Sequence, residues 1–154
     1  MNSSRSPMTL IHRNVEACRA GTFPPLICRL PSGWAVLCDM QYLRGYTILL
    51  ADPVVSSLNA LDRAARAAYL LDTAVIGDAL IEVTGAYRIN YATMGNSEPA
   101  LHTHIIPRYR TEPDAYRKIG PWSYPDEILN GTPFDPIRDA DLIARLAGAI
   151  QKRL

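Results

Sequence analysis

The sequence predicts an antiparallel α+β domain built on a five-stranded sheet. Three observations carry this. Five short apolar runs with strand character fall at 26–30, 34–38, 46–50, 86–92 and 101–106. The first two are separated by Pro31-Ser32-Gly33, a hairpin signal. Helical periodicity fills the interval between the third and fourth runs, so the order reads α-β-β-β-α-β-β-α. Hairpin-joined strands in that order favour antiparallel pairing over a wound parallel sheet.

Taken in order, Ser6-Pro7 has the form of an N-cap followed by proline at the first helical position. Met8, Ile11, Val15 and Cys18 then recur at helical spacing, and Gly21 can end the helix. His12 falls off that stripe and is expected to face solvent. Strand 46–50 follows a turn at Gly45. Ser56 or Ser57 is expected to cap a long helix running to about residue 83, with Gly85 as its stop. Its buried face reads Leu61, Ala65, Ala68, Leu71, Val75 and Ala79, with Asp62, Arg66 and Thr73 toward water. Asp72 falls on the apolar side without an evident partner. Strands 86–92 and 101–106 are joined by a tight loop at 94–99. The proline-rich stretch 109–136 reads as irregular, and a short helix with Ile143, Leu146 and Ile150 on one side closes the chain. One domain is expected over 1–154, with its core at about 22–110 and an irregular C-terminal extension at 111–154.

Its 154 residues are enough for one domain with a hydrophobic core and too few for two comfortable ones. Sixteen basic residues nearly balance fifteen acidic ones, which argues against a general nucleic-acid binder. No apolar run approaches the roughly 18 residues of a membrane span, and the first residues lack the apolar core of a signal peptide. Cys18, Cys28 and Cys38 form no CxxC pair, so reduced thiols in a cytoplasmic protein are expected. No metal, other cofactor, nucleic-acid or membrane partner is expected.

The chemistry concentrates in Ala100-Leu-His102-Thr-His104-Ile-Ile-Pro107-Arg108. Residues two apart on a strand share a face, so His102 and His104 project together, with Leu101, Thr103 and Ile105 opposite. A neutral imidazole can attack phosphorus and leave again, and a second one can carry a proton or bind phosphate. The preceding Gly95-Asn96-Ser97 is a compact, donor-rich loop of the kind that binds phosphate oxygens. Arg108 is expected to be a surface or dimer-contact residue. On its own, the HxH pair fits metal binding, catalysis or an ordinary strand.

The wider run from Ile89 and Asn90 through Gly95-Asn96 to His102-Thr-His104-Ile-Ile-Pro107-Arg108 resembles the histidine triad (HIT) superfamily, in particular bacterial HIT-domain proteins similar to diadenosine polyphosphate hydrolases. Asp39 and the later Gly45-Tyr-Thr-Ile-Leu-Leu extend the likeness upstream. The resemblance implies a HIT-like fold, an antiparallel five-stranded sheet with one long and one or two short helices. It implies a homodimeric nucleotide hydrolase or nucleotidyl transferase that works at an α-phosphate through a nucleotidyl-histidine intermediate. By position, His102 matches the nucleophile and His104 the histidine that orients it and contacts phosphate. Asn96 and Ser97 match the phosphate loop, Asp39 the ribose-binding acid, and Asn90 an upstream asparagine on the nucleoside side. Two positions depart from the pattern. Ala100 replaces the first histidine, and Tyr46 stands where a histidine often follows the strand-leading glycine. A longer side chain at position 100 is expected to reach the same ligand as the two histidines. Nucleotide binding with little or no turnover is the second reading.

Overall fold

A computed structural model describes residues 8–154. The expected cap at Ser6-Pro7 lies outside them. Helix α1, Leu10–Ala20, is capped by Thr9, whose hydroxyl accepts from the His12 backbone N–H while its own N–H donates to the His12 ring at 3.2 Å. His12 is therefore half-buried and spent on the cap.

Five strands follow: β1 Leu26–Leu30, β2 Gly33–Leu37, β3 Thr47–Ala51, β4 Arg88–Ala92 and β5 His102–Arg108. They pair antiparallel in the order β1-β2-β3-β5-β4. This is the expected α+β architecture, with β4 and β1 at the edges and the histidine strand inside. Glycine is required at position 33, because a Cβ there would stand 1.9 Å from the Leu50 carbonyl oxygen on the neighbouring strand.

Helix α2, Arg63–Thr84, is the long helix, and Asp62 caps it by accepting from the Ala65 N–H at 2.8 Å. Ser57 instead precedes a single 3-10 turn at Leu58–Ala60. The buried face of α2 is Tyr69, Asp72, Thr73, Val75, Ile76, Gly77, Ala79 and Leu80, whereas Leu71 is 64% exposed. The expected stripe was thus partly out of phase, since the small alanines on several sides of this helix leave its apolar face poorly marked. Asp72 has a partner after all. Its carboxylate accepts from the Ser32 N–H at 2.9 Å and from the Ser32 hydroxyl, and so ties α2 to the β1–β2 turn.

One face of the sheet packs against α2 and the C-terminal helix α5, Ala140–Gln151, in a cluster that includes Leu37, Leu49, Ile76, Leu80, Ile105, Leu142, Leu146 and Ile150. Each fully buried aliphatic side chain of this kind contributes about 1.5–3 kcal/mol of transfer free energy. The C-terminal helix is therefore part of the main core. The stretch expected to be irregular contains two single-turn helices, α3 Asp114–Arg117 and α4 Asp126–Leu129, and a 3-10 turn at Pro121–Ser123. On the opposite face, α1 covers Val36 and Leu50. That coverage stops short of the histidines. No helix among the described residues is long and apolar enough to cross a membrane.

Candidate active site

The alternation of β5 decides which side chains meet. Thr103 and Ile105 face α2, where the Thr103 hydroxyl lies 2.7 Å from both the Tyr69 and Thr93 hydroxyls. His102 and His104 face the other way, opposite Leu50 and Ile48 of β3. Their rings meet edge to face, with centroids 5.1 Å apart.

His102 is 9% exposed, and its Nδ1 lies 2.7 Å from the Ala100 carbonyl oxygen. A carbonyl only accepts, so Nδ1 carries a proton, and it is Nε2 that holds the lone pair whenever the ring is neutral. The ring lines two clefts that share Met94 and Gly95. One, of about 170 Å³, is bordered by Ser56, Ser57 and Asn59; the other, of about 360 Å³, by Asn96, Ser97, Glu98 and His104. A positive φ of 81° at Gly95 turns the loop at the mouth of both. Asn96 and Ser97 are exposed there, and Glu98 holds the loop to α1 by accepting from the Leu10 N–H at 3.3 Å.

His104 has a different environment. Its Nδ1 lies 2.6 Å from the hydroxyl of Tyr46, which is fully buried. Burial pushes the Tyr46 phenol far up, so it stays protonated and has a proton to donate to His104. With the phenol donating, His104 accepts at Nδ1 and presents an N–H at Nε2. Burial, followed by the charge of His102, brings the His104 pKa down to about 4, so the ring is neutral at pH 7. The indole of Trp122 stands edge to face against it, with centroids 5.3 Å apart. In these tautomers one imidazole offers a lone pair and the other a donor, side by side.

Ala100 is 1% exposed and packs with Ile11, Val15 and Cys18 of α1 and with Val36 and Leu50. Ala100 also lines the smaller cleft beside His102, but it packs within this apolar cluster, so a longer side chain would have to displace part of α1 to extend there. Nor is Arg108 a surface residue. It is 2% exposed and spends all its donors: Nε and Nη2 on Glu112, Nη1 on Asn90 Oδ1 and the Ile119 carbonyl, and Nη2 also on the Tyr116 carbonyl. Glu112 in turn accepts from the Tyr124 hydroxyl at 2.6 Å. This buried cluster fastens residues 112–124 to the end of the histidine strand and carries Trp122 to His104.

The fold brings His102, His104, Asn96 and Ser97 to one place. It leaves Asp39 and Asn90 outside both clefts. Asp39 is exposed at the end of β2, its carboxylate touched by the Cys38 thiol and its carbonyl accepting from the Phe134 N–H at 2.8 Å. Asn90 shares the histidine face, two ladder rows beyond Ala92–His104, and lines a separate groove. Sequence reasoning missed Trp122, which follows an irregular proline-rich stretch, and Ser56, Ser57 and Asn59, which read as a helix start.

The chain matches no protein-family profile and no curated protein. Solved structures do resemble it. A histidine triad protein from Marinobacter aquaeolei superposes with a TM-score of 0.71 at 19% identity, over 95% of this chain and 98% of that one. One from Sinorhizobium meliloti gives 0.66 at 21% identity, covering 84% and 88%. A hypothetical histidine triad nucleotide-binding protein from Sulfolobus tokodaii gives 0.69 at 14% identity, covering 91% and 92%. The chain has the fold of these proteins.

Proposed function

We propose that this chain is a histidine triad protein that cleaves or transfers a nucleotide at its α-phosphate through a nucleotidyl-His102 intermediate. The observation that carries the reading is the His102–Ala100 hydrogen bond, because it leaves the Nε2 lone pair free beside a donor-rich loop. The lone pair attacks phosphorus, the bond to the leaving group breaks, and the adduct's positive ring stays paired through Nδ1–H to the Ala100 carbonyl. Water then attacks phosphorus, the P–N bond breaks, Nε2 regains its lone pair, and the water's extra proton passes to solvent. His104 Nε2–H, Asn96 and Ser97 hold the phosphate oxygens, where fixed donors act most strongly. Asp39 takes the ribose hydroxyls of a substrate that extends past the clefts, whereas Asn90 lines the separate groove beside β4. The nucleotide-binding description of the Sulfolobus tokodaii protein supports this substrate class.

Nothing at position 100 can protonate a departing group. A phosphate leaves as an anion, whereas an amine must first gain a proton. The site therefore favours a phosphoanhydride, such as a dinucleoside polyphosphate, over a phosphoramidate. A turnover panel of diadenosine polyphosphates, adenosine phosphoramidate and nucleotide sugars tests this, with His102→Ala as control. Cleavage of the anhydrides with none in the control supports the reading. Nucleotide binding without turnover on any of them would favour the second reading, a binding module, to which the covered Ala100 also points.

We further infer a homodimer in a reducing, cytoplasmic setting. The outer edge of β4 has no partner strand among the described residues, and Leu70, Leu71, Ile81 and Tyr91 on β4 and α2 are 46–64% exposed. A stable interface would bury more than about 1,000 Å². Sedimentation as a 17.0 kDa monomer at micromolar concentration would remove this claim.

A further inference from the structure

A second groove lies on the same sheet face as the histidines, between β4 and residues 117–120. Its volume is about 480 Å³, and Tyr87, Arg88, Asn90, Arg108, Arg117 and Lys118 line it. Four of these are cations and none is acidic. In a chain whose net charge is +1, that is a local concentration of positive charge. We propose that this groove is an anion site for a polyphosphate group, separate from the histidine clefts.

The charges differ in availability. Arg108 is the neutralised floor, since Glu112 and two carbonyls take its donors. Arg88 and Lys118 are exposed and form no ion pair among the described residues. Among the described residues Arg117 pairs only with Asp114, whose side chain is 82% exposed, and such surface pairs are worth little. Its Nε is buried without a hydrogen-bond partner among the described residues. The Asn90 Oδ1 is taken by Arg108, which leaves its amide N–H groups free to donate into the groove. Arg110, stacked 4.7 Å over the Tyr87 ring, adds a further charge at the rim. Several cations along a cleft suit a multiply charged chain better than a single carboxylate, and the cleft focuses their field.

The groove's rows, Asn90–Ile106 and Arg88–Arg108, continue the ladder from Ala92–His104 in steps of ~7 Å. The phosphates could therefore belong to the far end of a molecule cleaved at His102, or to a separate polyphosphate ligand. Pairing of two copies through the β4 backbone and the α2 face would leave this face open.

Inorganic triphosphate is the probe, titrated calorimetrically into the wild type, the double variant Arg88→Glu/Lys118→Glu, and His102→Ala. Unfolding midpoints show whether each variant is folded. The expected result is binding to the wild type and His102→Ala alike, weakened at least tenfold in the double variant and by added salt. Binding of equal strength in the folded double variant, or no binding to the wild type at low salt, would overturn the proposal. If triphosphate also raises the KM of a dinucleoside polyphosphate but not of adenosine phosphoramidate, the site serves the substrate's own phosphates. If it moves neither KM, the ligand is a separate polyphosphate. Binding is read without turnover, so failure of the His102 chemistry and failure of the groove are distinguishable.

Discussion

The Nδ1 of His102, the first residue of β5, and the carbonyl oxygen of Ala100, two residues before it, stand 2.7 Å apart. A main-chain acceptor thus sets the tautomer, whatever side chain occupies position 100. The alanine side chain serves the other purpose of being small enough for α1 to close over it.

Replacing Ala100 by Gln or His should therefore destabilise the protein and bring no gain in turnover. Overpacking of a filled core costs about 1–3 kcal/mol. At about 2–4 °C per kcal/mol, the thermal midpoint should fall by several degrees. A variant with an unchanged midpoint and higher kcat/KM would show that the position is open to ligand.

Tyr46→Phe removes the hydroxyl that fixes the His104 tautomer, without touching the nucleophile. Loss of one such hydrogen bond is worth about 1–1.5 kcal/mol, close to tenfold in rate. We expect kcat to fall about tenfold with KM nearly constant. An unchanged kcat would detach Tyr46 from the chemistry.

Because the folded pKa of His104 is about 4, below its ordinary value near 6.5, the unfolded chain binds more protons between those limits. Stability then rises with pH across that window and is lost as pH falls from 6.5 toward 4. Urea unfolding at several pH values should show a steeper loss in the wild type than in His104→Gln. Parallel curves would contradict the neutral, buried imidazole.

Arg108→Met leaves Glu112 buried without its cation, a change that typically costs about 3–5 kcal/mol. Residues 112–124 should loosen and Trp122 should leave His104. The readout is Trp122 emission in a Trp34→Phe background, shifted to the red in the Arg108 variant. Restoring charge balance with Arg108→Met/Glu112→Gln should recover part of the stability.

Much of this architecture was legible in the sequence because strand alternation and hairpin turns are local signals. The interval between strands, the shared face of His102 and His104, and the loop at Asn96-Ser97 all follow from spacing alone. What was not legible depends on distant contacts. The phase of α2 is blurred by its alanines, and Asp72 finds Ser32 only once the hairpin has folded against that helix. Arg108 reads as a surface residue until residues 112–124 wrap around it, and no periodicity in that stretch announces Trp122. Ala100 looks like a missing donor in the motif, yet the contacts that fill its place come from α1, almost ninety residues earlier in the chain.

The most direct test of the account is a rapid-quench experiment with a slowly cleaved nucleoside polyphosphate, followed by peptide mass spectrometry under conditions that preserve P–N bonds. The account predicts a nucleotidyl adduct on His102 that forms and decays at the rate of turnover, and no adduct or turnover in His102→Ala. Turnover that survives in His102→Ala, or an adduct found on another residue, would contradict it.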